Sequence, residues 1–343
     1  MRFLQTFGKT PSGAELEKVK ASPNFRDGSF KNLSPTEMMA GGNSMAGLMW
    51  KFLNKPSTCF PSNPLPSVKT DLKNIQSANP VVVWFGHSSY FIRINNKNIL
   101  VDPVFSGHAS PFSFSTKSFA GANVYSVDDM PDIDILFLTH DHYDHLDFET
   151  VVKLKPKVKQ VYTSLGVASH LVYWGYDESC ITEFDWWDSK TNDCFTITAT
   201  PARHFSGRGL IRNKTLWSSF ILQAPQHTIY IGGDSGYDTH FKTIADKFGP
   251  FDIAMLECGQ YNTAWPHIHM LPPETAQAAV DLNAKMLLPV HWGKFSLSLH
   301  AWNEPPNLVT AAAKQLGMPV TTPMIGEPVI VGQSYPATRW WQL

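Results

Sequence analysis

The sequence predicts an α/β chain (α+β under some schemes) folded as a four-layer αββα sandwich. Three observations predict it. From residue 81 onward the chain becomes a series of short apolar runs ended by turn residues. Those runs fall into two clusters along the chain, and each cluster carries helical segments of its own. Two sheets that each bury one face, with helices over the outer faces, form a layered solution to that pattern.

Residues 81–85, 90–94 and 98–101 read as strands, with Asn95-Asn96 as the hairpin turn between the second and third. Residues 133–138, Ile-Asp-Ile-Leu-Phe-Leu, read as a buried strand. A short helix is expected over 147–154 and a strand over 160–163. The second series of strands spans 194–200, 217–223, 228–231, 253–257 and 286–290. Helical spacing predicts helices over 239–247, 273–282 and 308–315, and 328–332 offers one more strand. No strong internal repeat is visible.

Four of these apolar strands run into residues that can bind metal. Residues 135–138 lead to His140, His142, Asp144 and His145. Residues 195–200 lead to His204, 229–233 to Asp234, and 287–290 to His291. Strand ends at one rim of a sheet are a rigid place to assemble a site from distant sequence. In an extended segment, residues i and i+2 point the same way, so His140 and His142 can grip one ion and His204 can complete its set. Asp144 and His145 come just after and can turn to a second ion with His291. Asp234 has two oxygens and can bridge both. Imidazole and carboxylate without thiolate suit two Zn2+ ions, with Mn2+ or Fe2+ also compatible. Two ions about 3.5–4 Å apart can share a water, lower its pKa and clamp the attacking and leaving oxygens. Asp141 lies inside the run with the wrong phase for a ligand. It is expected behind the ligands or as a hydrogen-bond partner of the nucleophile. Asp102 is expected to orient a ligating imidazole or to serve as a turn acceptor before Pro103.

Composition narrows the partners. Lys plus Arg number 28 against 29 Asp plus Glu, so the basic excess of a nucleic-acid-binding face is missing and a ribonuclease is disfavoured. The four cysteines form no CxxC pair, which argues against a cysteine zinc cluster. They are expected as free thiols, with Cys180 and Cys194 the one pair near enough in sequence to watch. No segment reaches the roughly 18 apolar residues of a membrane span, and MRFLQTFGKTPSG lacks the apolar run of a signal peptide. A cytoplasmic location is the expectation, with a processed precursor left open.

Two parts are expected, an N-terminal extension over 1–80 and a catalytic domain over 81–343. The extension is rich in Pro, Ser, Lys and Asn, and 61–66 looks like an extended connector. Met38, Met45, Met49 and Phe52 recur at helical spacing before Pro56. Two readings stand for that helix. It packs on the catalytic core, or it makes a peripheral membrane contact through Met, Trp and Phe among Lys51 and Lys55.

The His-x-His-x-Asp-His run, with the later ligands, resembles the metallo-β-lactamase superfamily. Within it the chain is similar to the N-acylphosphatidylethanolamine-hydrolysing phospholipase D family and its bacterial relatives. The segments that carry this include Trp84-Phe85-Gly86-His87-Ser88, Asp102-Pro103-Val104-Phe105-Ser106, Asp185-Trp186-Trp187, Phe248-Gly249-Pro250-Phe251-Asp252 and His291-Trp292-Gly293-Lys294-Phe295. Their order holds from about residue 80 to residue 306. The resemblance implies an αββα fold, two zinc ions on the seven ligands named above, and hydrolysis of a phospholipid phosphodiester. It also points to His269 as a pocket residue near the metals. Read from the residues alone, His269 assists the leaving group as an acid or caps the helix near Pro273. His87 lines the pocket or supports it from below. In that family the N-terminal part helps form a membrane-facing surface.

Three other functions compete. A lactonase of the ascorbate-phosphate type would use the same nucleophile on a carbonyl, and a deep, narrow, polar pocket would favour it. A β-lactamase is disfavoured by the lack of a cysteine at a ligand position. A non-catalytic metal-binding sensor is disfavoured by the complete ligand set. The oligomeric state is not legible.

Overall fold

A run such as Val81-Val82-Val83-Trp84 is apolar at every position, so both faces of its strand must be buried. The structure, a computed structural model describing residues 2–39 and 45–342, shows how. Of the expected N-terminal helix, residues 40–44 and the Met45 side chain lie outside the described part.

A small hairpin, β1 (Phe25–Arg26) with β2 (Ser29–Phe30), precedes the main sheets. The first main sheet contains β3 (Val81–Trp84), β4 (Tyr90–Ile94), β5 (Lys97–Val101), β6 (Ile133–Leu138), β7 (Val158–Ser164) and β8 (Ile181–Phe184). The second contains β9 (Ser189–Thr191), β10 (Thr196–Thr200), β11 (Ser219–Gln223), β12 (Thr228–Ile231), β13 (Ile253–Glu257) and β14 (Leu287–Val290). The last strand, β15 (Pro328–Ile330), returns to the edge of the first sheet beside β3.

Side chains alternate across a strand, and here each set has its own partner. Val82, Trp84, Ile92, Ile99, Ile135 and Phe137 pack inward against Ile197, Phe220, Leu222, Ile229 and Ile231 of the other sheet. Val81, Val83, Phe91, Leu100, Leu136 and Val161 face outward onto Val151, Leu154 and Leu171, from the helices Phe148–Leu154 and Ala168–Tyr173. The helices His240–Phe248, Pro272–Asp281 and Glu304–Leu316 cover the other outer face, through Ile244, Ala279 and Val309 among others. The result is the αββα order of layers.

Local chemistry explains the boundaries. Asn95 and Asn96 both take positive φ, 49° and 58°, as a tight two-residue hairpin needs. The Asp147 side chain accepts from Glu149 N–H and caps its helix. The last helix starts at Glu304, a turn before the predicted 308, because Pro305 and Pro306 sit where a first turn tolerates missing N–H donors. β11 starts at Ser219, not 217. Trp217 turns instead into a satellite core with Val19, Phe30, Trp186, Ala202 and Leu216. β8 and β9 are not expected from the sequence, because Ile-Thr-Glu-Phe and Ser-Lys-Thr carry little apolar signal.

The N-terminal residues join this body. Residues 14–30 contribute to the satellite core. The helix Met45–Leu53 stacks Phe52 on Trp265, ring centroids 6.0 Å apart, while Met49, Trp50 and Leu53 stay exposed. No helix among the described residues is long and apolar enough to cross a membrane.

The strand directions place the site. β5 to β8 run parallel, and β3 runs the same way as β5 because two antiparallel pairings separate them. In the second sheet β12, β13 and β14 are parallel, and β10 shares their direction. The carboxyl ends of β5, β6, β10, β12, β13 and β14 therefore supply the loops that meet at the metal-ligand cluster.

Phe220 is fully buried between the sheets, 5.1 Å from Phe137 and 5.9 Å from Phe184 by ring centroids. Phe220→Ala should cost about 3–5 kcal/mol, read as a lower urea midpoint with an unchanged slope.

Candidate metal centre

Asp102, at the end of β5, is wholly buried and takes a positive φ of 41°. Its carboxylate accepts three hydrogen bonds. Thr139 N–H lies 2.9 Å from Oδ1, while Thr139 Oγ1 at 2.6 Å and His145 Nδ1 at 2.8 Å reach Oδ2. Burial pushes this carboxyl up from its ordinary range, and His145 and Thr139 act against that push.

These bonds settle which ring nitrogens carry protons. His145 Nδ1 donates to Asp102, so its Nε2 presents a lone pair. The Thr139 hydroxyl spends its hydrogen on Asp102, so it accepts from His140 Nδ1 at 3.0 Å. His140 Nε2 is then a lone pair too. His204 Nδ1 donates to the Ile268 carbonyl at 2.7 Å, which leaves its Nε2 unprotonated. His140 Nε2 and His204 Nε2 lie 3.0 and 3.2 Å from His142 Nδ1. Three imidazole nitrogens, two of them obliged to be acceptors, converge on one point. A cation answers that arrangement. Zn–N bonds of about 2.0–2.1 Å in a tetrahedron set nitrogens roughly 3.3 Å apart.

A second cluster lies alongside. His87, Asp144, His145 and His291 bring their donor atoms within 4.8 Å of one another. Asp234 stands between the clusters. Its Oδ2 is 3.1 Å from His145 Nε2, 3.9 Å from His140 Nε2 and 3.8 Å from His204 Nε2, and its Oδ1 is 3.1 Å from His291 Nδ1. His145 Nε2, His291 Nε2 and Asp234 Oδ1 are buried without a hydrogen-bond partner. Buried polar atoms are rarely left so, and three at one rim fit metal ligation.

Carboxylates and imidazoles shift one another here, and at His145 burial is outweighed by Asp234, Asp144 and Asp102, which hold it well above the usual imidazole value. Burial holds His140, His204 and His291 well below the usual imidazole value. Burial opposes charge on Asp144 and Asp234 as well, but His145 and its neighbours hold both well below the carboxylate range. Unprotonated imidazole is the form that ligates.

The structure brings all seven expected ligand residues together and places four neighbours around them. His87 is fully buried, and its Nε2 meets Asp144 Oδ2 at 2.8 Å, bracing that carboxylate from behind. Asp102 lies beneath His145, as described. Asp141 points away from the cluster. Its carboxylate accepts from Gly207 N–H at 2.7 Å, Thr215 Oγ1 at 2.8 Å and His170 Nε2 at 3.2 Å. The reading of Asp141 as a partner of the nucleophile is therefore corrected, since its oxygens are committed on the far side of the loop. His269 does face the cluster, with its ring stacked on His291 at 5.2 Å.

Three further residues shape the site and were not singled out in the sequence. Glu257, at the end of β13, is buried, and its Oε2 meets His269 Nδ1 at 2.8 Å. Burial raises the Glu257 carboxyl to about 7, while at His269 burial is outweighed by Glu257 together with Asp234 and Asp144, which lift it to about 9. The signal for Glu257 was available, because 253–257 is another apolar strand ending in a ligand type. Ser88 Oγ lies 2.9 Å from His291 Nδ1. Arg208, fully buried, donates to the carbonyls of Asp141, Leu146 and Thr6 and so clamps both ends of the ligand loop.

Replacing Asp102 tests the tautomer argument. Asp102→Asn should lower metal affinity about 10–100-fold, measured by competition with a chelator, while the far-ultraviolet circular dichroism stays native.

Residues 97–292 match the family described as β-lactamase superfamily domain. An uncharacterized protein of Mycobacterium tuberculosis is 37% identical over 99% of this chain and 95% of its own. An N-acyl-phosphatidylethanolamine-hydrolyzing phospholipase D of Caenorhabditis elegans is 31% identical over 62% of this chain and 64% of that protein. A metal-dependent hydrolase of Pyrobaculum neutrophilum is 30% identical over 62% of this chain and 84% of its own. Among solved structures, a metallo hydrolase from Ignicoccus hospitalis superposes with a TM-score of 0.58 at 18% identity, covering 73% of this chain and 97% of the other. That likeness speaks for the fold. With the matched domain spanning more than half of the residues, this chain belongs to the metallo-β-lactamase superfamily.

Proposed function

We propose that this metal-dependent hydrolase is a zinc-dependent phosphodiesterase of the phospholipase D type, acting on N-acylphosphatidylethanolamine or a related phospholipid. The observation that carries the reading is the pair of donor clusters sharing Asp234. Two Zn2+ ions held there would supply a water of lowered pKa and offset charge on the phosphoryl oxygens. The ligands divide as His140, His142 and His204 for one ion and Asp144, His145 and His291 for the other, with Asp234 between them.

The chain's own groups supply the rest. Glu257 takes His269 Nδ1, so the ring's Nε2 is left for the reacting region. A protonated His269 can give its proton to the departing alkoxide as the P–O bond breaks. Water adds to phosphorus, so the products are phosphatidic acid and the N-acylethanolamine alcohol.

The surroundings favour a lipid over a lactone. A groove of 640 Å³ is lined by Met49, Phe52, Leu53, Phe60, Phe114 and Phe119, with Lys55 and Lys117 also in its wall. Its Ser296 follows Phe295, whose ring is 5.3 Å from His87. Such a wall suits acyl chains, whereas a small polar lactone would leave it unused. We place the exposed Met49, Trp50 and Leu53 at a bilayer surface, where neighbouring lysines meet anionic headgroups. The likeness to the Caenorhabditis elegans phospholipase D supports the same reading.

Zinc-loaded protein mixed with vesicles containing N-acylphosphatidylethanolamine should release phosphatidic acid, detected by mass spectrometry. Absence of that product would sink the lipid assignment. Asp234→Asn should abolish turnover while keeping the fold. Glu257→Gln removes the anion that raises His269, so the alkaline limb of kcat/KM should move to lower pH. An unmoved limb would remove His269 from the proton transfer.

A further inference from the structure

His204 lies on a loop beyond the end of its strand. β10 ends at Thr200, and three residues separate it from His204. Its ring is fixed by Ile268, but its main chain needs a partner of its own. That partner comes from the N-terminal part of the chain. Asn32 Nδ2 donates to the His204 carbonyl at 2.8 Å, and Asn32 Oδ1 accepts from His204 N–H at 3.1 Å. One side-chain amide therefore pairs with both peptide groups of a metal ligand, as a neighbouring strand would.

The amide orientation follows from the network. Oδ1 also accepts from Trp217 Nε1 at 3.0 Å. Turning the amide over would set Nδ2 against two N–H groups and Oδ1 against a carbonyl. Among side chains, the amide offers a donor and an acceptor in one plane, and the short Asn stem carries them here.

The segment bearing Asn32 is itself anchored on both sides. Phe30 N–H donates to the Asn213 carbonyl at 2.9 Å, and Phe30 is buried in the satellite core. Beyond Asn32, Arg203 holds the Pro35 carbonyl with Nη2 at 2.8 Å and Thr36 Oγ1 with Nε at 3.0 Å. Arg203 is the residue before His204, so the two segments are pinned residue against residue.

We propose that Asn32 is a positioning residue for the metal ligand His204, which makes the N-terminal segment a working part of the metal centre. This rests on the two-ion reading of the site. Asn32 touches no reacting atom. It fixes the peptide from which the imidazole projects, and through it the direction of the Nε2 lone pair.

The test is a titration of metal-free protein with Zn2+ against a chelator of known affinity. Asn32→Ala removes both contacts. Asn32→Asp keeps an acceptor for the N–H groups but sets an oxygen against the His204 carbonyl. Both variants should bind one zinc about tenfold more weakly, the lower end for losses of such supporting partners, and leave the other zinc unchanged. Asn24→Ala is the control, because Asn24 Nδ2 bonds to Asp185 in the same segment without touching His204. It should keep both affinities. In a His204→Ala background, adding Asn32→Ala should change zinc binding no further, since coupled residues lose their effect together. Unchanged zinc affinities in both Asn32 variants, with only a lower melting temperature, would overturn the proposal. Equal weakening at both ions, or in Asn24→Ala, would also overturn it by showing a general structural effect. Wild-type protein that binds no zinc would overturn the metal reading beneath it, and so that failure is told apart from the others.

Discussion

The Asp102 carboxylate is the constraint on which the site depends. It sits at the end of a buried strand, sealed from water, and accepts from Thr139 twice and from His145 once. Those bonds decide the tautomer of His145 directly and of His140 through the Thr139 hydroxyl. Without them, a ring could turn an N–H toward the centre and repel a cation. A charged acceptor in a dry site gives strong hydrogen bonds, and it makes the lone pairs converge before any ion arrives.

The rest of the fold carries the same logic to the other sheet. Strands of like direction deliver His204, Asp234, Glu257 and His291 to the rim where Asp102 and the His140–His145 loop wait. Packing of Phe137 against Phe220 holds the two sheets in place. Near the donor clusters the backbone itself is unusual. His87, Asp102 and His291 all take positive φ, and His87 and His291 are linked by a main-chain hydrogen bond of 2.9 Å. Such strain persists where the surroundings over-determine it, here by burial and by bonds from His87 to Asp144 and between Ser88 and His291. The site is thus assembled by rigid strands and locked by short turns.

Much of this was legible in the sequence because the ligands obey simple rules. A period of two inside the His140–His145 run and strand-end positions for the later ligands were visible without coordinates. Direction was less visible. Asp141 belongs to the same run, yet Gly207, Thr215 and His170 draw its carboxylate to the other side, and those partners lie 29 to 74 residues away. Glu257 has the strand-end position, but a lone carboxylate after an apolar run is too common to mark a site. Asn32 carried no signal at all. An asparagine in a polar stretch looks like a turn residue, and only the folded chain reveals that it faces His204. Likewise Val19, Phe30 and Asn32 of the N-terminal extension contact residues numbered 186 to 217, far away in sequence.

The central claim is that one carboxylate, Asp234, lies between two ions held by the converging imidazoles. Crystals grown from zinc-loaded protein and measured on both sides of the zinc absorption edge test it most directly. The account predicts two anomalous peaks about 3.5–4 Å apart, one among His140, His142 and His204 and one beside Asp144, His145 and His291, with Asp234 contacting both. A single peak, or two peaks with Asp234 turned away from either, would contradict it.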